Sequence, residues 1–333
     1  MVAPAGPRAG LDPAAAPARA QPSGAPERHE PDRSRPMKTH HDLIKWQVLA
    51  LAIGLYPASR LGAEELSVGF SAARVLYEER RYAEARTLFG ALGRDQPDSV
   101  ELNFYLGRLA LWFDDEVDAL AHLEKAARLL PDDARVQNAL GDACGLAAQK
   151  AGLLAKLGWA RKCLNAYRRA AELAPAVPAY RWSLLGFYCV APRIAGGGRD
   201  EAEAQAREIA KLDPMGGRVA RATLFLAANK PTEAFAQFDE VLRETPDDFM
   251  ALYHVGRCAA LSGLQLDRGL AALERCLRLL PPHGEGMPTL ANVHHRLGEI
   301  LARRGDRSGA EVHAAAARRV HPDFRAEKDA LRN

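Results

Sequence analysis

VELNFYLGRLALWFDDEVDALAHLEKAARLLP, residues 100–131, decides the fold. Its first half sets Leu106, Gly107 and Ala110 on one side of a helix, because residues three and four apart share a face. Its second half repeats the pattern with Ala119, Leu123 and Ala126. The polar break FDDEVD separates the halves, and Pro131, which cannot continue a helix, closes the second. The stretch therefore reads as a helical hairpin, with the small Gly107 and Ala119 facing each other where the two backbones come close. A single hairpin cannot bury its apolar stripe, so this one requires neighbours of the same kind.

Those neighbours lie on both sides. Hairpin-closing prolines recur at Pro97, Pro131, Pro175, Pro214, Pro246, Pro281 and Pro322, spaced by 34, 44, 39, 32, 35 and 41 residues. The longer intervals hold insertions. In the third unit GLAAQKAGLLAKLGW lengthens both helices; in the fourth, APRIAGGGRD forms a wide glycine turn; PPHGEGMP precedes the seventh. Inserted loops on a repeat scaffold either line a binding surface or are tolerated surface additions.

The recurrence resembles the tetratricopeptide repeat family over residues 64–325, in about seven units. Leu106, Gly107, Ala119 and Ala126 carry the resemblance in the second unit, Ala85 and Phe89 in the first, Ala234 and Phe238 in the fifth, and Leu297, Gly298, Ala310 and Ala317 in the seventh. Gly269 stands where alanine is usual, and Arg221 and Ala222 replace the leucine and glycine of the fifth unit, whose first helix is the weakest in pattern. PRIAGGGRDEAEAQAREIAKLDPMGG is further similar to a bacterial, exported group of such proteins.

The resemblance implies an all-α, right-handed α-solenoid whose first helices line a concave groove suited to an extended peptide or a partner helix. Residues rotated off the hairpin core would face that groove: Phe104, Arg108 and Trp112, then Asn138 with Asp142, Ser183 with Phe187, Tyr253 with Arg257, and His295 with Glu299. Aromatic anchors beside arginine and asparagine suit a peptide with apolar and acidic or polar groups. The carboxylate clamp of the family needs lysine and asparagine on consecutive first helices. No matching set occurs, and Arg108 with Asn138 is the nearest approach.

The regions outside the repeats differ in character. Residues 1–36 are rich in proline, alanine, glycine and arginine and are expected to be disordered, ahead of a natural start at Met37. Residues 37–63 run from the charged MKTHHDLIK through the apolar WQVLALAIGLYPA to small residues, the order of a secretory signal, with cleavage after Ala63. The other reading is an amphipathic helix leading into the solenoid. The apolar run, 13 residues from Trp46 to Ala58, is shorter than the roughly 20 needed to span a bilayer. Residues 326–333 form a tail.

Composition narrows the function. Of 333 residues 48% are hydrophobic, and 45 basic against 42 acidic side chains leave a net charge of +3 without a concentrated basic block, which argues against nucleic acid as a partner. Five cysteines, Cys144, Cys163, Cys189, Cys258 and Cys276, lack CxxC spacing and read as small buried apolar residues. In an exported chain Cys258 with Cys276, or Cys144 with Cys163, could bridge a hairpin.

No catalytic signature is present: GxSxG, GxxxxGK[ST] and HExxH are all missing. His321, Pro322 and Asp323 spell HPD without J-domain helices around it. His294, His295, His313 and His283 cluster near the last hairpin at spacings that match no known zinc set, leaving a metal-dependent hydrolase as a minor reading. The acid pairs Asp114 with Asp115 and Asp247 with Asp248 are expected at helix starts.

The sequence thus points to a non-catalytic scaffold, periplasmic or secreted, that holds a protein or peptide. No cofactor, metal or small-molecule substrate is expected, and membrane contact only through the signal segment. The alternative is a cytoplasmic regulatory or co-chaperone-like subunit of an enzyme complex.

Overall fold

The computed structural model describes residues 63–282 and 287–321; the expectations for 1–36, for nearly all of 37–63, for His283 and for the tail lie outside them. The described residues are all helical, apart from turns and loops. Hairpin 1 pairs α1 (Ala63–Glu78) with α2 (Tyr82–Asp95), and hairpin 2 pairs α3 (Val100–Trp112) with α4 (Glu116–Leu129). Hairpin 3 pairs α5 (Ala134–Lys150) with α6 (Leu153–Leu173), and hairpin 4 pairs α7 (Pro178–Val190) with α8 (Arg199–Leu212). α9 (Pro214–Ala227) and α10 (Pro231–Glu244) form hairpin 5, α11 (Phe249–Ser262) and α12 (Leu266–Cys276) hairpin 6, and α13 (Leu290–Arg303) and α14 (Arg307–Val320) hairpin 7.

Helix starts follow from short acceptor side chains. Ser99 accepts the amide of Leu102, Asp115 that of Asp118, Asp133 those of Arg135 and Val136, Asp248 that of Ala251 and Asp306 that of Gly309. Thr289 and Asn292 form a reciprocal capping box at α13. The acid pairs therefore divide their work. Asp115 and Asp248 cap, Asp247 pairs with Arg275, and Asp114 takes the left-handed turn conformation (φ 62°).

Where the two backbones of a hairpin come close, a large side chain of the second helix fills the glycine's space. A Cβ on Gly107 would overlap Leu123, so a branched side chain of α4 fills the space that glycine leaves, with Ala119 fully buried in the same apolar cluster. Hairpins 3 and 6 repeat the arrangement, with Tyr167 over Gly141 and Leu273 over Gly256. Gly269 meets Ala259 in the reverse sense, from second helix to first, which explains why alanine is not used there.

Two of the three insertions lie wholly within the described residues. α5 and α6 run for 17 and 21 residues, against 13 and 14 in hairpin 2. In hairpin 4, a 3-10 turn (Arg193–Ala195) and Gly196 (φ 93°) return the chain, and Gly197 lies so close to the Ala191 carbonyl that a Cβ could not be accommodated. Pro214 does not sit in a loop. It is the first residue of α9, directly after α8, and α9 is a full helix despite Arg221 and Ala222.

Core packing passes from one hairpin to the next. One apolar cluster joins hairpins 1 and 2 around Phe89 and Leu102, another joins 2 and 3 around Leu123 and Val136, and others link 3 to 4 and 4 to 5. The largest runs through hairpins 5 to 7, from Val219 to Ile300. First helices α3 and α5, α7 and α9, α9 and α11, and α11 and α13 touch directly, so they form the inner face of the stack. All five cysteine thiols are free, four of them buried. Burial pushes Cys144 and Cys189 up to about 11 and Cys258 and Cys276 up to about 12, so they are protonated and inert at neutral pH.

Candidate functional site: the inner face of the first helices

Three of the expected lining residues are scaffold. Phe104 (6% exposed) packs with Ala119, Leu123 and Val136; Phe187 (8%) packs with Tyr167 and Leu184; Tyr253 (4%) packs with Phe238 and Leu273. Taking them as groove-facing was wrong in placement. Neighbouring hairpins cover a wider arc of each first helix than one hairpin's own stripe indicates, because each first helix touches its own partner and helices of the adjoining hairpins.

The remaining residues fall into three groups along the first helices. In the first, the Arg108 guanidinium sits over the rings of Tyr77 (5.6 Å) on α1 and Phe104 (5.8 Å), and its charge also reaches Asp142 on α5. One turn on, Trp112 packs on Tyr82 (4.5 Å). The ring of His321, beyond α14, stacks on Trp112 at 6.2 Å with 10° between planes, and is itself only 6% exposed.

The second group lies on α5. Tyr167 donates its hydroxyl to Asp142 Oδ1 at 2.6 Å, tying α6 to the inner face. Asn138 is half-buried, and its Oδ1, shielded from solvent, has no hydrogen-bond partner among the described residues. Arg108 lies against aromatic rings within reach of the Asp142 charge, and the Asn138 Oδ1 takes no hydrogen bond from it.

The third group spans α11 and α13. Glu299 receives His295 Nε2 at 3.3 Å and Arg296 Nη1 at 2.8 Å. Burial alone would raise its carboxyl, but these hydrogen bonds and the arginine charge hold it at about 2, ionised at any physiological pH. Beside them His254, stacked on Phe238, is forced down to about 3 by burial and by the charges of Arg257 and Arg296, so it stays neutral. Arg257 is half-buried at this junction. Neither Arg296 nor His254 stood out in the sequence. Each occupies a position that the apolar stripe would assign to the core, and only the facing helix reveals the charge beside it.

Among the described residues no group of three or more metal-ligating side chains converges. His294 and His295 diverge, as helical neighbours must: His294 Nδ1 meets His313 Nδ1 at 2.9 Å, whereas His295 turns to Glu299. A shallow depression between α8 and α9 gathers Arg199, Arg207 and Arg221 around Leu224 and Phe225, with Glu203 paired to Arg199. The sequence reading did not single it out.

The tetratricopeptide repeat family matches residues 76–143 and again residues 219–283. No curated protein matches the chain in sequence. Among solved structures, a thermophilic tetratricopeptide repeat protein of Thermus thermophilus is 23% identical, with a TM-score of 0.50 over 60% of this chain and all of that one. Yeast Tom70 is 14% identical, with a TM-score of 0.50 over 87% of this chain, which spans 55% of Tom70. At these identities the likeness concerns the fold. The chain is an all-α solenoid of tetratricopeptide-like hairpins, carrying tetratricopeptide repeats at 76–143 and 219–283.

Proposed function

We propose that the inner face holds an extended segment of a partner protein, without catalysis, and that the segment carries acidic groups alongside apolar ones. The observation that supports this reading is that Arg108 on α3 and Arg257 on α11, two first helices, are half-buried, the Arg108 guanidinium lying against the rings of Tyr77 and Phe104. A guanidinium held against aromatic rings is partly stripped of water, so an incoming carboxylate gains a stronger interaction there than at a solvated arginine. Asp142 and Glu299 lie between and beyond these cations and are already engaged by Tyr167, His295 and Arg296. They limit the site to discrete acidic positions instead of a uniformly basic channel.

The test is capture of a partner by the full chain, repeated with Arg108→Glu and Arg257→Glu and with Arg207→Glu as an outer control. The inner-face reversals should reduce capture at least tenfold with helicity unchanged. Equal capture by all three variants would overturn the reading. Tyr253 is unsuitable as a probe, since truncating a 4%-exposed core residue disturbs the fold itself.

Export to the periplasm or beyond is part of the same proposal. It rests on the charged, apolar and small-residue order of 37–63, and removal after Ala63 would leave α1 intact from Glu64. Sequencing the N-terminus of the mature chain tests it. A start near Glu64 is expected, and an intact segment before Met37 in the cytosol would sink it.

A further inference from the structure

The hairpin that departs most from the repeat carries a second interaction surface. Between Asp142 and Glu172 the sequence contains no acidic residue and six basic ones, Lys150, Lys156, Arg161, Lys162, Arg168 and Arg169. Three of the six are engaged within the solenoid: Lys150 with Glu116, Arg168 with the Tyr188 hydroxyl, and Arg169 with Asp132. The other three sit on the first turns of α6. Lys156 and Arg161 are exposed and have no ion-pair partner among the described residues, and Lys162 lies 4.3 Å from the ring centre of Trp159. At the very tip, Leu153 and Leu154 are 82% and 91% exposed.

This tip stands beyond the turn of hairpin 4, while on its other side Lys150 ties its base to Glu116 at the start of α4. The turn of hairpin 4 packs at the level of Leu164, against which Gly196 lies. Leu154 is ten residues earlier on the same helix, so at 1.5 Å per residue it stands roughly 15 Å beyond its neighbour. A globular chain does not ordinarily present two adjacent leucines, nearly fully solvated, at the end of an elongated hairpin whose residues 143–171 carry basic side chains and no acidic one, a local excess that the whole-chain charge of +3 conceals.

We propose that the tip of hairpin 3 docks on an anionic lipid surface, with Leu153 and Leu154 entering the headgroup boundary, Trp159 behind them, and Lys156, Arg161 and Lys162 facing the lipid charge. Apolar residues at the point of contact, cations one to two helical turns behind, and an aromatic between them are what interfacial binding requires. No described helix is long and apolar enough to cross a membrane, so the contact is peripheral. It adds to the expected membrane contact of 37–63 and is independent of the inner-face reading.

The experiment is co-sedimentation of the full chain with vesicles of phosphatidylglycerol and phosphatidylcholine, and with phosphatidylcholine alone. The parent is compared with L153S/L154S and with K156E/R161E. The chain processed after Ala63 is measured in parallel, because residues 46–58 would bind vesicles on their own account. The leucine variant should lose about tenfold or more in partitioning, since two side chains give up their apolar transfer. The charge variant should lose the preference for anionic vesicles, and added salt should weaken the parent. All substituted residues are exposed, and unchanged far-UV circular dichroism verifies folding. Failure of the parent to bind anionic vesicles, equal binding to both vesicle types, or equal binding by parent and both variants overturns the proposal; the second outcome would point to plain apolar adsorption and the first to a protein partner.

Discussion

At the scale of single residues, the hairpins depend on where a side chain is missing. Gly107, Gly141 and Gly256 each leave room for one large side chain of the second helix, Leu123, Tyr167 and Leu273. Gly186 occupies a related place on α7 yet has nothing within 4 Å of where a Cβ would stand. The same substitution should therefore act in opposite directions. Glycine to alanine inside a helix gains about 1 kcal/mol from propensity alone. At Gly107 or Gly256 this is outweighed by overpacking of roughly 1–3 kcal/mol, because the obstructing atoms are the branch point of a buried leucine and cannot swing aside. Urea unfolding should show Gly107→Ala and Gly256→Ala destabilised and Gly186→Ala stabilised by up to about 1 kcal/mol. A gain at all three would mean that the helices can separate at no cost.

At the scale of elements, ion pairs step along the solenoid at close to the repeat length. Arg86 reaches Asp118, Glu101 reaches Arg135, Asp132 reaches Arg169 and Asp267 reaches Arg304, each joining one hairpin to the next. Exposed pairs of this kind contribute at most about 1 kcal/mol each, so they reinforce register more than stability. The buried histidines matter more to pH dependence. His294 and His313 share one contact between α13 and α14, and burial lowers both below the usual 6.5 even though Glu274 opposes this at His313. His254 on α11 is lowered further, to about 3. The unfolded chain takes up protons near 6.5 and the folded chain does not, so stability must fall as pH drops below that value. Between pH 7.5 and 5.5 the loss should be on the order of 1–2 kcal/mol, and His254→Phe should flatten it. A pH-independent urea midpoint over this range would contradict the burial of these rings. Hairpins, insertions and caps were legible in the sequence because period, proline and glycine act locally: GLAAQKAGLLAKLGW did extend α5 and α6. The inner face was legible only in part. Arg108, Trp112, Arg257, His295 and Glu299 stay partly exposed on first helices, whereas Phe104, Phe187 and Tyr253 are buried in the hairpin cores, a consequence of packing between units that no single unit encodes.

At the scale of the whole molecule, the ends of the solenoid are joined. His321, which follows the last helix, stacks on Trp112 of hairpin 2 and lies 6.1 Å from Tyr82 of hairpin 1. A linear stack of repeats has only nearest-neighbour interfaces, so its terminal units open first and independently. A contact from the last unit back to the first two changes that: opening either end exposes the same aromatic cluster, and the two ends should protect each other. Stacking of this kind is worth about 1 kcal/mol. His321→Ala should then speed amide hydrogen exchange roughly fivefold in α14 and also in α1 and α2, although the substitution lies more than two hundred residues from them in sequence. Trp112→Leu should produce the same pair of changes and cost more, since it also loses the Tyr82 ring, and the double variant should be little worse than Trp112→Leu alone, because the contact with His321 is already gone. Faster exchange confined to α14 after His321→Ala, or additive effects of the two substitutions, would show that the ends act separately and that the solenoid is energetically open.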